Sequence, residues 1–281
     1  MHSNKSHAFN TRFREIVSAR RSLLCVGLDP ELTKLPASLP RNADGVALFC
    51  QEIISATAPF AAAFKVNFAF FEALGKTGWA ALERVARALP ADTIRLADAK
   101  RGDIGNTARL YAHAIFRELP FDALTANPYL GEDAALPFLE DPSKGVFFLC
   151  RTSNPGSAGV QLFPHRPDVD ENEPLYLHIA RTVAEWNQND NAGLVVGATH
   201  LHELERVRQL CPSLPFLIPG VGAQGGDLEA AMKSGTGSSE DLAILNVSRA
   251  IIYAGHEKNF GEAAAQEAES LCRQMRELRK H

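Results

Sequence analysis

The sequence predicts an α/β protein, a single (β/α)8 TIM barrel domain over residues 1–281 with one extra helix at its N-terminus. Two observations carry this prediction: eight short apolar segments recur along the chain, and helical patterns lie between nearly all of them. Most segments are continuously apolar, which is typical of strands covered by helices on both faces. Strands that alternate with helices pair in parallel through right-handed crossovers, and eight such units close into a barrel. The alternative is a doubly wound open sheet, which is disfavoured because no G-x-G-x-x-G turn follows the first segment.

The elements follow in order along the chain. The predicted strands are 23–29, 62–67, 93–100, 123–128, 146–153, 192–199, 215–221 and 242–249. The predicted helices, in which apolar residues recur at helical spacing, are 43–58, 69–89, 106–119, 174–188, 201–210, 227–235 and 261–280. Residues 132–140 give the weakest helical pattern, because Pro137 breaks it. The longest irregular stretch, 154–174, follows the fifth strand, and loops of this length are typically lids, binding loops or disordered.

Composition and charge disfavour several classes of protein. The chain is 46% hydrophobic and 22% charged with a net charge of −4, which is ordinary for a globular protein and argues against a general nucleic-acid binder. It has no run of about 20 apolar residues and no apolar N-terminal signal segment, so we expect no membrane association and a cytoplasmic location. The five cysteines show no C-x-x-C spacing, which argues against a disulfide framework or a zinc site.

Polar side chains gather where the predicted strands end. These residues are Asp29, Lys65, Asn67, Asp98, Lys100, Asn127, Arg151, Ser153 and Arg249. The carboxyl ends of barrel strands form the reaction site, and residues two apart on a strand share a face, so Asp98 and Lys100 should project together with Lys65 beside them. Alternating ammonium and carboxylate groups offset each other and stay ionised in a partly dry cavity. A salt-bridge cluster that plugs the barrel mouth is the alternative, but agreement among three strand ends favours a site.

A second group of residues predicts a phosphate site. The segment PGVGAQGGD, residues 219–227, follows the seventh strand and opens a helix, so its glycines allow backbone amides to approach an anion. Arg249 follows the eighth strand and can clamp a phosphate with two hydrogen bonds. The loops after strands seven and eight are where barrel enzymes often hold phosphate. The residues therefore predict a barrel enzyme for a phosphorylated metabolite, without specifying the reaction.

The segment DAKRGDIGNTA, residues 98–108, resembles the D-x-K-x-x-D signature of the orotidine 5′-phosphate decarboxylase family. Further segments resemble blocks of that family in the same order, over roughly residues 20–255. They are CVGLDP (25–30), FKVN (64–67), TSNPG (152–156), PGVGAQGGD (219–227) and SRAIIYA (248–254). One departure is Ser248, which stands where many members of the family have glycine.

The resemblance implies decarboxylation of orotidine monophosphate to uridine monophosphate, in de novo pyrimidine biosynthesis, without a metal or an organic cofactor. Lys100 matches the proton donor, and Lys65, Asp98 and Asp103 match the rest of a charged tetrad. Asp103, Ile104 and Thr107 match residues that a second subunit donates, so the resemblance implies a homodimer with shared sites. The remaining matches are Asp29 to a ribose-hydroxyl contact, Ser153 to the pyrimidine-recognising serine, and Pro219, Gln224 and Arg249 to pyrimidine-edge and phosphate positions.

Two alternative functions stay open at this point. A metal-dependent sugar-phosphate decarboxylase or epimerase shares the D-x-K-x-x-D core, but the related family has an acidic metal ligand where Lys65 stands, and an ammonium group there would repel a cation. A non-catalytic sensor of phosphoribosyl ligands is the other alternative. It is disfavoured because binding alone needs no proton donor.

Overall fold

The computed structural model of the protein describes residues 7–164, 173–222, 226–237, 241–255 and 258–279. Its eight strands pair in parallel in chain order, and the first also pairs with the eighth, so the sheet closes into a barrel. The strands are β1 (Leu24–Leu28), β2 (Ala63–Asn67), β3 (Ile94–Arg101), β4 (Ala123–Ala126), β5 (Gly145–Arg151), β6 (Ala192–Val196), β7 (Phe216–Pro219) and β8 (Ala243–Val247). Each predicted strand is confirmed, with ends that shift by a few residues.

Helices surround the barrel and connect its strands. They are α1 (Phe9–Arg20), α2 (Ala43–Thr57), α3 (Ala69–Glu72), α4 (Gly75–Ala88), α5 (Gly105–His113), α6 (Glu132–Leu139), α7 (Ala158–Gln161), α8 (Leu175–Trp186), α9 (Leu201–Leu210), α10 (Leu228–Thr236), α11 (Arg249–Ile252) and α12 (Phe260–Leu278). The predicted (β/α)8 barrel is confirmed, including the extra helix α1 ahead of β1. No helix in the described ranges combines the length and the apolar character that a membrane crossing requires.

The continuous apolar pattern of the strands is explained by their burial. Every residue of β1, β4, β6 and β8 is buried, because one face fills the barrel and the other packs against the surrounding helices. Burying each large apolar side chain stabilises the fold by about 1.5–3 kcal/mol. Against this background, the buried charges of Lys65 in β2 and Asp98 in β3 are exceptions that need partners.

Helix α1 covers the amino-terminal end of the barrel, opposite the strand ends that carry the polar cluster. Phe9 and Phe13 are buried against Phe147 of β5, with ring centroids 6.1 Å apart in both pairs. The Phe9 ring lies so close to Gly145 that a Cβ there would come within 2.2 Å of it. The first residue of β5 is therefore a glycine because the helix packs directly against its backbone.

Three local features differ from the sequence-based expectations. The single helix predicted over 69–89 is wrong: α3 and α4 are separate, because Gly75 adopts a φ of +63°, which a right-handed helix cannot continue through. Pro137 does not break the pattern around it but lies inside α6, where it removes one hydrogen bond two residues before the helix ends. The irregular stretch begins with a 3-10 turn at Pro155–Ser157 and then α7.

Candidate active site

Three charged side chains of β2 and β3 form the centre of the site, and we call Lys65, Asp98 and Lys100 the charged array. Lys65 Nζ donates to Asp98 Oδ2 at 2.9 Å, and Lys100 Nζ donates to Asp98 Oδ1 at 2.5 Å. Lys65 and Asp98 are buried, whereas the Lys100 side chain is about half exposed, at 51%. The prediction that these three residues lie together is confirmed, with the carboxylate between the two ammonium groups.

An irregularity in β3 directs Lys100 toward Asp98. The pairing of β3 with β4 shifts register between Ala97 and Arg101, and Lys100 adopts a left-handed φ of 46°. The Lys100 N–H then donates to Thr125 Oγ1 at 3.0 Å instead of to a strand carbonyl, and Thr125 Oγ1 donates to Asp98 Oδ1 at 3.0 Å. Thr125 thus ties the irregular backbone to the carboxylate, which is the kind of local distortion that strands show beside active sites.

The electrostatics keep Asp98 and Lys65 ionised. Burial by itself would raise the pKa of Asp98, but Lys65 and Lys100 outweigh burial and hold that pKa well below its ordinary value. Burial would likewise lower the pKa of Lys65, but Asp98 and Asp29 raise it above its ordinary value. Lys65 and Asp98 therefore present fixed charges to a ligand at neutral pH.

Asp29 follows β1 and faces the same ammonium group from the other side. Its Oδ1 lies 3.5 Å from Lys65 Nζ, and this buried oxygen accepts no hydrogen bond from any described residue. A buried carboxylate oxygen without a donor is an acceptor held ready for a ligand group such as a hydroxyl.

The charged array opens into a cavity of about 490 Å³ at the carboxyl ends of the strands. The predicted residues Asp29, Lys65, Asp98, Lys100, Ser153, Pro219 and Arg249 all line it. Pro219 is followed by Gly220, which has a φ of +99°, a conformation that glycine adopts without strain. Gln224 lies outside the described residues. The cavity thus joins the charged array to the residues predicted to hold pyrimidine and phosphate.

Ser248, the departure from the family pattern, is accommodated by a glycine on the neighbouring strand. Its Oγ accepts from Asn246 Nδ2 at 3.3 Å, and a Cβ on Gly27 of β1 would stand only 1.8 Å from that oxygen. The serine therefore fits beside Arg249 because β1 has no side chain at this position.

Asp103, Ile104 and Thr107 do not line the cavity of their own chain. They lie where β3 leads into α5; Ile104 and Thr107 are exposed, and Asp103 Oδ1 accepts from the Ile104 N–H at 2.8 Å. One chain therefore assembles three members of the predicted tetrad and places the fourth at its surface.

Sequence reasoning missed several residues that line the cavity. Thr125 and Asn246 lie within buried strands, where the apolar neighbours hid them, although each is a polar residue inside an apolar run. Gln161 lies in the irregular stretch, ten residues beyond β5, and no sequence signal pointed to it. Asn127 does not line this cavity; its Oδ1 accepts from the Tyr129 N–H at 3.0 Å and so stabilises a turn.

Among the residues that the structure describes, no three His, Cys, Asp or Glu side chains converge as a metal site would require. All five cysteines are buried and none forms a disulfide; burial raises the pKa of the Cys25 thiol to about 12 despite the nearby Lys65.

Comparison with known proteins agrees with the geometry. A model of the orotidine 5′-phosphate decarboxylase / HUMPS family matches residues 22–264. The orotidine 5′-phosphate decarboxylase of Herpetosiphon aurantiacus is 48% identical over 264 residues, which cover 94% of this chain and 96% of the relative. That of a Roseiflexus species is 49% identical over 257 residues, 90% of this chain and 93% of the relative.

A solved structure shares the whole architecture. The OMP decarboxylase of Leishmania donovani superimposes with a TM-score of 0.84 at 39% identity, over 98% of this chain and 99% of that one. The barrel, the D-x-K-x-x-D segment and the relatives thus lead to one conclusion. This chain belongs to the orotidine 5′-phosphate decarboxylase / HUMPS family.

Proposed function

We propose that the charged array carries out the decarboxylation of orotidine 5′-phosphate to uridine 5′-phosphate. The enzyme is a carboxy-lyase, as the family match and the relatives' names agree. The observation that supports the division of roles is the placement of one buried carboxylate between two ammonium groups at the mouth of the barrel. Neither the metal-dependent alternative nor the non-catalytic sensor finds support in these comparisons.

The chemistry needs a cation where negative charge develops. Loss of carbon dioxide leaves an electron pair on a ring carbon that has no electron sink, and the Lys100 ammonium stabilises that charge more strongly in the transition state than in the ground state. Lys100 then transfers its proton to the carbon. Asp98 holds Lys100 in place, and Lys65 keeps Asp98 ionised throughout.

The other lining residues bind the parts of the substrate that do not react. Asp29 accepts a hydrogen bond from a ribose hydroxyl through Oδ1, which accepts none from the described residues; Ser153 contacts the pyrimidine, and Arg249 binds the phosphate. Pro219, Gln224 and Arg249 together supply the pyrimidine-edge and phosphate contacts, as the resemblance implies. Binding energy from the remote phosphate contributes to closing the site and expelling water from the array.

We further propose a homodimer in which Asp103, Ile104 and Thr107 complete the site of the second copy. Large apolar side chains are exposed on and beside α5 and α6, which pack against each other. They are Ile104, Leu110, Tyr111, Tyr129, Leu130 and Leu136. An exposed apolar surface of this kind marks an interaction site, and it adjoins the three residues in question. The buried unpaired cysteines support a reducing compartment, and we propose the cytoplasm.

The Lys100→Ala variant tests the role of the charged array. Its turnover is measured from the loss of orotidine-monophosphate absorbance. We expect turnover to fall at least about 10³-fold, because charge stabilisation and proton transfer are both lost. Binding of uridine monophosphate should largely survive. Lys76→Ala, which removes an exposed lysine on α4, is the matched control and should leave turnover unchanged. Full turnover in Lys100→Ala would contradict the assignment.

Metal independence is tested separately on the wild-type enzyme. We expect full activity after dialysis against excess EDTA, since a fixed ammonium group takes the place of a Lewis acid. Loss of activity on chelation, with recovery on adding a divalent cation, would favour the metal-dependent alternative instead.

A further inference from the structure

A buried arginine beneath the loop after β5 organises one wall of the cavity. Arg151 is the last residue of β5 and is 2% exposed. Its Nη1 donates to Ser157 Oγ at 2.5 Å, to the Thr152 carbonyl at 3.1 Å and to Gln161 Oε1 at 3.2 Å. Its Nη2 lies 3.6 Å from Glu203 Oε1 on α9. The guanidinium therefore connects the strand end to Thr152, Ser157 and Gln161 in the segment that follows it.

The arginine fixes the orientation of the Gln161 amide. Gln161 Oε1 accepts from Arg151 Nη1 and from the Thr152 N–H at 2.9 Å. Both of these groups only donate, so the oxygen must face them and the amide nitrogen must face away. Gln161 Nε2 accordingly donates to Thr152 Oγ1 at 2.8 Å.

The orientation of the Gln161 amide also fixes the direction of the hydrogen bond between Thr152 and Asn154. Because Thr152 Oγ1 accepts from Gln161, its own proton points to Asn154 Oδ1, 2.7 Å away. The Asn154 oxygen thus accepts the hydroxyl proton, which leaves the amide nitrogen as the donor end of this side chain. Thr152, Asn154 and Gln161, which we call the β5 wall, all line the cavity. Gln161 Oε1 already accepts two hydrogen bonds and Asn154 Oδ1 accepts one, so the amide N–H groups are the donors that the wall offers to a ligand.

We propose that Arg151 is a positioning residue that makes the β5 wall a donor surface, and that this surface selects a pyrimidine with carbonyl oxygens over one with an amino group. A donor wall pairs with a ring carbonyl, whereas an amino group there would leave two donors facing each other. The inference rests on the proposed function, since it assumes that the pyrimidine lies along the wall that also contains Ser153.

The experiment measures selectivity with two product-like nucleotides. Dissociation constants for uridine monophosphate and cytidine monophosphate, which differ in the carbonyl or amino group at C4 and in whether N3 carries a proton, are compared in the wild type, Arg151→Met and Gln161→Glu. We expect the wild type to prefer uridine monophosphate and both variants to lose about tenfold or more of that preference, the effect of one hydrogen bond. Ribose 5-phosphate, which has no base, should bind all three proteins equally.

Glu203→Gln is the matched control, because it removes the charge that faces Arg151 from α9 without touching the wall. This variant should leave the preference for uridine monophosphate unchanged. A general loosening of the structure would weaken the binding of both nucleotides and leave the ratio of their dissociation constants intact. If Arg151→Met fails to fold, Gln161→Glu decides. An unaltered ratio in the folded variants, or an equal loss in Glu203→Gln, would overturn the proposal. The ratio is a binding measurement, so it is independent of whether orotidine monophosphate is turned over.

Discussion

The ionisation of Asp98 and Lys65 predicts how stability depends on pH. The pKa of Asp98 is lowered on folding, so its contribution to stability is present above the ordinary value of 3.8 and is lost as the pH falls further. The pKa of Lys65 is raised, so its contribution is present below 10.5 and is lost as the pH rises above that value. The pair should therefore add a constant free energy of unfolding from about pH 5 to about pH 9.

Urea denaturation across this range, on the wild type and on the double variant Lys65→Met/Asp98→Leu, measures the contribution of the pair. The difference between the two proteins should be flat at neutral pH and should change at both extremes. Subtracting the variant removes the effects of other titrating groups, such as Asp122. A difference that varied steadily between pH 6 and pH 8 would contradict the assigned charges.

Strand spacing predicted the pairing of Asp98 with Lys100, but not the way the backbone achieves it. A left-handed lysine cannot be foreseen from residue types, because asparagine and glycine are the residues that favour this conformation. Gln161 could not be found either, since its role depends on the fold of a loop and on the buried guanidinium beneath it. Prediction of single residues succeeded where strand periodicity sets the direction of the side chain. It failed where tertiary contacts set that direction.

At the scale of elements, one carboxylate joins α1 to the barrel. Asp122, buried just before β4, accepts from the backbone N–H and the guanidinium of Arg95, and from Arg12 Nη1 of α1 at 2.9 Å. Burial would raise the pKa of Asp122, but the two arginines hold it below its ordinary value. We expect Asp122→Asn to lower the free energy of unfolding by about 3 kcal/mol, because it leaves buried donors poorly paired.

Arg12→Gln provides the comparison. The Arg12 side chain is 32% exposed, so solvent screens its charge and the loss should be only about 1 kcal/mol. Turnover per folded molecule should be unchanged in both variants, since α1 lies at the end of the barrel away from the site. Glu83→Gln, in an exposed pair with Arg87, should have no measurable effect. Equal losses in the free energy of unfolding for Arg12→Gln and Asp122→Asn would show that the contact of Asp122 with Arg12 of α1, and not that with Arg95, supplies most of the stabilisation.

Elements were predicted well because their signal is local and repeated. Most strands are continuous apolar runs, and helix α9 matches its predicted bounds at both ends. The split between α3 and α4 was missed because an isolated glycine in a helical pattern is usually tolerated, and only the φ of Gly75 identifies a break.

For the whole molecule, the proposed sharing of sites predicts complementation between two inactive variants. Lys100→Ala damages the array, and Asp103→Asn damages only the residue given to the other copy. Random mixing of equal amounts yields one intact site in each mixed dimer, so we expect about a quarter of wild-type turnover. Mixing Lys100→Ala with Asp98→Asn, both in the array, leaves no intact site and is the control. No recovery in the first mixture would contradict shared sites.

Barrel closure is what the sequence could predict at the largest scale. Residues as distant in the chain as Asp29 and Arg249 line one cavity because all eight strands point the same way and the first pairs with the last. The apolar surface around α5 and α6 was not predicted, because an apolar residue on a helix reads as core until the packing shows it exposed.

The left-handed backbone at position 100 lowers the stability of the fold at a residue that the proposed reaction requires. A side chain there costs about 1 kcal/mol relative to glycine, and the half-exposed ammonium group offsets this cost only through its pair with Asp98. Selection of variants for thermal stability alone should therefore favour glycine at position 100. Selection in a host that must synthesise its own pyrimidines should restore lysine. Lysine at position 100 is therefore expected only where activity and stability are selected together.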